Sequence, residues 1–202
     1  HGNSAETDQG LWLRYPFTDH ALLLVKQDAA EHAWQTLAAD RATTGANGWQ
    51  LADIDAGEGM VYPGAQDLFL PQVLNYDVTA GVNFKKGCYT GQEVIARMHF
   101  LGQLKKSLFR YTCSDAGTLP APGESLLDGD RPVGNVVNSV GFSDGHSEIL
   151  AVVRHAAAAK SLVPDSASDA VLPLPPLPYS VPARERPDPP DTYVDRRNPD
   201  HM

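Results

Sequence analysis

The sequence predicts an α+β protein in which helices occupy the first half and an antiparallel β structure occupies the second. Before residue 104, apolar residues recur every three or four positions in two segments, which is the spacing of an amphipathic helix. After residue 104 the chain is rich in β-branched residues and carries a hairpin turn signal. We therefore divide it into an α+β region over 1–104, a small antiparallel barrel or sheet over 105–181, and a proline-rich tail over 182–202.

The composition is typical of a soluble globular chain of one or two domains. The 202 residues carry a formal net charge of −9, which argues against indiscriminate binding to nucleic acid. No run approaches the ~18 consecutive apolar residues of a membrane span, so we predict no membrane contact. Two cysteines make neither a disulfide framework nor a four-thiolate zinc site. We expect a reducing, cytoplasmic location.

The first predicted elements are a strand followed by a helix. The apolar run 21–25 favours a buried strand. Asp28 and Glu31 have the spacing of a capping box, with Asp in place of the usual Ser or Thr. Trp34 and Leu37 then lie three positions apart, as the apolar face of a helix requires.

Three further segments complete the first half. Residues 49–54 alternate between apolar and polar, which predicts a strand, and 55–59 form a glycine-rich turn. Residues 66–74 are predicted to be a loop or a short helix interrupted by Pro71. Residues 91–100 have helical periodicity.

The second half is predicted to consist of strands. Residues 107–113, 132–142 and 148–153 are β-rich, and the sequence at 143–145 is typical of a hairpin turn. The leucines of 172–179 alternate with prolines, so we expect this segment to pack back on the preceding strands rather than bind a proline-recognition module.

The tail over 182–202 has almost no apolar residues and mixes prolines with charges of both signs. Such a segment cannot bury enough surface to offset its ordering entropy, so we predict disorder.

A basic segment stands out in this acidic chain. Six of the 16 Lys and Arg residues lie within positions 85–110, against one acid. They are Lys85, Lys86, Arg97, Lys105, Lys106 and Arg110. Two interpretations carry equal weight: a solvated face, or a patch for an anion such as a polyglutamyl tail, a phosphate or an RNA backbone.

A cysteine motif lies inside this basic segment. Its residues are Lys86, Gly87, Cys88, Tyr89, Gly91, Gln92 and Glu93. Cys88 precedes a predicted helix and follows two lysines, and both features favour a thiolate. A loop cysteine is more often a small buried hydrophobe, but the polar, glycine-rich neighbours argue against that alternative. Cys113 is interpreted as structural, and we predict no metal site held by this chain.

The motif, with the residues that follow it to Arg97, resembles the signature of the YgfZ/GcvT family. The segments 49–57 and 175–180 resemble the same family, and the likeness covers about residues 11–181. The family consists of folate-binding proteins with roles in iron–sulfur cluster biogenesis and tRNA modification. The resemblance implies a fold like that of the T-protein (aminomethyltransferase) of the glycine cleavage system, with a folate-binding α+β region followed by a C-terminal barrel. The family's chains are longer, with a further region before the point where this sequence begins.

The resemblance also implies site residues. Trp49 matches a tryptophan of the folate site, where an indole face would stack on the pterin, although Trp49 is equally suited to a core. Asp55 is expected either to contact the pterin or to cap a turn. Cys88 is expected to act as a reactive thiol.

The favoured function is therefore an accessory protein that binds tetrahydrofolate or a derivative. It would support iron–sulfur enzymes or their assembly proteins, with an indirect effect on tRNA modification, and would not be a conventional enzyme. The alternative is a folate-dependent transferase of a one-carbon unit; transferase relatives usually have Asp in place of Cys88. Direct RNA binding through the basic segment is the least favoured hypothesis, because the chain is acidic and lacks stacking aromatics in an RNA-binding motif.

Overall fold

The computed structural model describes residues 4–15, 20–102, 104–114, 119–167 and 169–181. It contains two antiparallel sheets and three helices within these ranges. The first sheet has the order β1-β2-β3. Its strands are β1 (Ser4–Thr7), β2 (Gly10–Arg14) and β3 (Ala21–Leu24). The α+β class predicted from the sequence is confirmed.

The strand predicted over 21–25 is present, but the expectation that it is buried is wrong. Leu22 and Leu24 are exposed. The reason is that β3 forms an edge of a small sheet whose other edge, β1, is exposed along its whole length.

The first predicted helix is confirmed as α1 (Ala30–Ala38), which follows a 3-10 turn at Gln27–Ala29. The expected capping box does not form: Asp28 lies within the 3-10 turn, and the helix start has no side-chain cap. Trp34 is 61% exposed, whereas Ala33 is the buried residue of this helix. The apolar face of α1 was therefore predicted wrongly.

The strand predicted over 49–54 is also wrong, because these residues belong to helix α2 (Ala46–Ala56). Leu51 and Ile54 lie three positions apart, so one face of a helix buries both, and three alanines support helical structure. Ile54 is buried against the six-stranded sheet described below, and this contact favours the helical spacing of apolar residues over the alternation of a strand.

Gly57 ends α2 with a left-handed backbone, at a φ of 69°. Its N–H donates to the carbonyl of Ile54, and the N–H of Glu58 donates to that of Asp53 at 2.8 Å. A side chain at this position would also meet Leu177 and Tyr179, so the glycine serves both the turn and a close approach.

Turns occupy most of the chain from Gly57 to α3 (Gln92–Leu101), including the segment 66–74 that was predicted as a loop or short helix. The helix predicted over 91–100 is confirmed. Gly91 is its N-cap residue and has a φ of 85°, a conformation that favours glycine.

The second sheet is a curled, six-stranded antiparallel sheet with the order β8-β5-β6-β7-β4-β9. Its strands are β4 (Lys106–Cys113), β5 (Ser125–Asp128), β6 (Arg131–Gly141), β7 (Ser147–Arg154), β8 (Val163–Pro164) and β9 (Leu172–Pro173). The predicted strands over 107–113, 132–142 and 148–153 are confirmed. Gly145 donates its N–H to the Phe142 carbonyl at 3.1 Å in the predicted hairpin turn between β6 and β7.

Two hydrophobic clusters cover the two faces of this sheet. One contains Tyr111, Val136 and Ile149. The other contains Ile54 of α2 and Leu74 together with Leu108, Val137, Val140, Leu150 and Val152. Helix α2 therefore packs directly on the sheet. The division near Lys105 stays a prediction, and this second cluster joins residues from both sides of it.

The leucine–proline segment packs back on the fold, as expected. Its strand β9 pairs with β4, and Leu177 packs against the cluster that holds Ile54. The Tyr179 hydroxyl donates to the Gly57 carbonyl at 2.8 Å. The predicted tail over 182–202 lies outside the described residues.

Within the part of the chain that the structure describes, none of the helices has the length and apolar character needed to cross a membrane.

Candidate functional site

Helix α2 carries a half-exposed indole and, one turn later, a buried carboxyl. Trp49 is 38% exposed and lies edge-on to Tyr15, with ring centroids 5.6 Å apart. The His20 ring lies 5.9 Å from the same indole. Asp53 follows one helical turn later, on the same face of α2, and is only 5% exposed. An aromatic surface and an acid thus occupy one side of the helix.

The carboxyl of Asp53 accepts no hydrogen bond from the described residues. Its burial raises the pKa to about 6. Glu58 also has a raised pKa, first because it is buried and then because of the Asp53 charge, while the charge of His20 acts in the opposite direction. A buried carboxyl without a partner is costly, and such groups concentrate at functional sites.

Tyr76 lies between this acid pair and a cavity beside the cysteine motif. Its hydroxyl donates to the Gly59 carbonyl at 2.5 Å. Burial raises the Tyr76 pKa, and the charges of Glu58 and Asp53 raise it further. Tyr76 also lines a cavity of about 180 Å³ together with Lys86 and Tyr89 of the cysteine motif.

The motif loop places two of its side chains in the cavity and leaves its cysteine exposed. Lys86 and Tyr89 line the cavity, with the Lys86 ammonium 4.6 Å from the centre of the Tyr89 ring, a cation–π contact. The buried Tyr89 hydroxyl has no hydrogen-bond partner among the described residues. Cys88, between them, is exposed as a free thiol. The cysteine is therefore accessible from outside the fold.

The end of the motif holds the loop against α3. The Tyr89 N–H donates to the Gln92 side-chain oxygen at 3.3 Å, and the Gln92 N–H donates to the Tyr89 carbonyl at 3.2 Å. Glu93 is exposed in the first turn of α3. A Cβ at Gly87 would meet no atom within 4 Å, so the loop is open there.

Asp55 lies on a different side of α2 from Trp49. Six residues of helix rotate the two side chains to about 120° apart. Asp55 is ion-paired with Arg110, which also contacts Glu148 at 3.0 Å. The structure thus joins Asp55 to the sheet rather than to the indole.

Sequence reasoning missed Asp53, Glu58, His20 and Tyr76. In a strand, Trp49 and Asp55 share a face, whereas in the helix the carboxyl below the indole is Asp53. The four-residue spacing of Trp49 and Asp53 was the signal that pointed to this pair.

The remaining titratable groups of the described residues do not form a metal centre. No group of three His, Cys, Asp or Glu side chains in the described ranges is placed to hold a metal ion. Cys113 is buried in β4 and is a core residue, as interpreted from the sequence.

Comparison with known proteins connects the chain to bacterial relatives. It is 34% identical over 166 residues to the tRNA-modifying protein YgfZ of Yersinia enterocolitica, an alignment that covers 79% of this chain and 50% of that relative. It is 33% identical over 178 residues to the protein of the same name from Enterobacter sp. strain 638, with 85% and 53% covered. The Yersinia pestis Pestoides F protein of that name is 32% identical over 166 residues, with 79% and 50% covered. The chain belongs to the YgfZ family.

This YgfZ-family chain spans about half the length of the curated relatives it matches. No protein-family model matches the sequence.

Proposed function

We propose that this chain contributes to a folate-binding accessory protein that supports iron–sulfur cluster assembly or repair and thereby tRNA modification. The observation that carries the proposal is the buried Asp53 carboxyl, which has no hydrogen-bond partner among the described residues and lies one helical turn after the half-exposed Trp49. The relatives' name, tRNA-modifying protein YgfZ, supports the tRNA connection. A cytoplasmic location and a T-protein-like arrangement of domains belong to the same proposal.

The residues fit the chemistry of tetrahydrofolate. The pyrimidine half of its pterin is flat, and one edge presents two neighbouring N–H donors. The Trp49 indole supplies a surface on which such a ring stacks. The Asp53 carboxylate supplies two acceptor oxygens that have no donor among the described residues, so a pterin edge would satisfy a group that is otherwise costly to bury.

Cys88 is proposed to act as an exposed thiol in transient thiol or cluster exchange. Its exposure supports this role, because an exposed free thiol is accessible to a partner protein or cluster. Transfer of a one-carbon unit from the bound folate remains the second candidate. It is favoured by the Asp53 pKa of about 6, a value suited to proton transfer near neutral pH.

The two functions differ in their need for Cys88. We would express the complete gene in bacteria that lack their own YgfZ and measure an iron–sulfur enzyme together with thiolated tRNA. Wild type is expected to restore both, Cys88→Ala neither, and the buried control Cys113→Ala both. Full restoration by Cys88→Ala would overturn the accessory role of the cysteine and leave the transferase.

A further inference from the structure

One end of the six-stranded sheet contains a pocket of about 270 Å³ that is separate from the cavity beside the cysteine motif. Its lining is Leu104, Lys105, Arg154, His155 and Ala156. The antiparallel register explains the clustering, because β4 begins where β7 ends. Lys106 is directly opposite Arg154, and the His155 N–H donates to the Lys105 carbonyl at 3.0 Å.

Three cations surround this pocket: Lys105, Lys106 and Arg154. Among the described residues, no carboxylate oxygen lies within the 4.0 Å ion-pair distance of Lys105, Lys106 or Arg154. By contrast, Lys160 pairs with Asp128 at 2.6 Å. The chain has 25 acids to 16 Lys and Arg residues, so a shortage of acids does not explain the cluster.

Like charges crowd at the same place. Burial lowers the pKa of Lys106, and the neighbouring charge of Arg154 lowers it further. Lys106 and Arg154 therefore repel each other, and no carboxylate of the described residues offsets this repulsion. A bound anion would offset it.

The imidazole in the pocket has a fixed position. The Ser107 hydroxyl lies 2.9 Å from His155 Nε2, and Ser107 is only 1% exposed. Phe109 lies edge-on to the same ring, with centroids 6.1 Å apart. Binding an anion here would cost little ordering of this side chain.

We propose that this pocket binds the phosphate group of a small phosphorylated ligand. Arg154 supplies the planar donor set that matches phosphate oxygens, Lys105 supplies a second charged donor, and His155 forms a positioned wall. Lys106 adds positive potential from the opposing strand. A small ligand is favoured over RNA because the concave site is local and the chain as a whole carries a charge of −9, which repels a long polyanion. The site does not depend on the folate proposal.

The test follows the His155 ring signals by NMR while inorganic phosphate or pyrophosphate is added at constant ionic strength. Both probes are expected to shift these signals. Arg154→Gln and Lys105→Gln are each expected to weaken pyrophosphate binding roughly tenfold or more, as the loss of a charge-assisted hydrogen bond implies. Lys26→Gln removes the same charge after β3, in the other sheet, and is expected to leave the affinity unchanged.

Three results would overturn the proposal. The first is the absence of a His155 response to either probe. The second is equal weakening by Lys26→Gln and Arg154→Gln, which would indicate a general charge effect. The third is a short RNA lacking terminal phosphates that shifts the His155 signals with steep salt dependence while pyrophosphate does not. That result would assign the surface to a nucleic-acid backbone instead.

Discussion

Asp55, the penultimate residue of α2, is ion-paired with Arg110 of β4, which ties the end of the helix to the sheet. The same guanidinium contacts Glu148 of β7 at 3.0 Å, so it joins three elements. Arg110 is largely buried, whereas half of Asp55 is exposed. Because its charge is paired with two acids, Arg110 is not part of the anion patch that the basic segment suggested.

Loss of Arg110 should cost more stability than loss of Asp55. Arg110→Gln leaves the half-buried carboxylates without a cation, and we expect the free energy of unfolding to fall by about 2–4 kcal/mol. Asp55→Ala should cost about 1 kcal/mol or less, because water screens its exposed carboxyl. Urea unfolding measures both, with the exposed Arg41→Gln as a control. An equal cost for the two substitutions would contradict the bridging role of Arg110.

Asp53 should make stability depend on pH. Its folded pKa of about 6 lies above the ordinary value of 3.8, so its contribution is fully present below pH 3.8 and is lost as the pH rises through about 6. Asp53→Asn should therefore raise the free energy of unfolding at pH 7.5, by about 1–3 kcal/mol, and change it little near pH 4. Unfolding in urea at the two pH values is the measurement. An equal change in the free energy of unfolding at both pH values would show that burial does not disfavour the charged form of Asp53.

Gly57→Ala should destabilise the junction between α2 and the C-terminal segment. The added Cβ would lie 2.6 Å from Leu177 and 2.8 Å from the Tyr179 hydroxyl, in addition to the strain of its left-handed backbone. Gly145→Ala is the matched control, because Gly145 also has a positive φ but no atom within 4 Å of the added Cβ. We expect the control to cost about 1–2 kcal/mol from the backbone alone. We expect Gly57→Ala to cost more, and thermal unfolding that shows no difference would contradict the packing at Gly57.

The two thiols should differ in reactivity. Cys88 is exposed, and Cys113 is 4% exposed in the core. An aromatic disulfide reagent should label one thiol in the folded protein and both after unfolding in guanidinium. Cys88→Ala should abolish the first reaction. Labelling of Cys113 in the folded Cys88→Ala variant at a comparable rate would contradict its burial.

The large sheet was predictable because its signals were local. Valines of β6, a Ser-Asp-Gly turn and the apolar residues of β7 together specify a hairpin without knowledge of the remaining fold. The motif helix was predictable for the same reason, since Gly91 starts it and the apolar period continues through it.

Helix α2 was not predictable from local pattern. Six residues from Trp49 to Ile54 fit a strand and a helix equally, and contact of Ile54 with a sheet more than fifty residues away decides the outcome. Asp55 was expected beside Trp49 because of the family resemblance, whereas the helix places Asp53 on the face of Trp49. The basic segment shows the same limit, because only the folded chain pairs Arg110 with acids and leaves Lys105 and Lys106 beside Arg154.

The central claim is the pterin site at Trp49 and Asp53, and a titration of the complete protein with tetrahydrofolate tests it most directly. Calorimetry should give an affinity that Trp49→Ala and Asp53→Asn each weaken by about tenfold or more. Trp34→Ala is the matched control, since Trp34 is exposed on α1, and it should bind as wild type does. Unchanged affinity in both Trp49→Ala and Asp53→Asn would contradict the account.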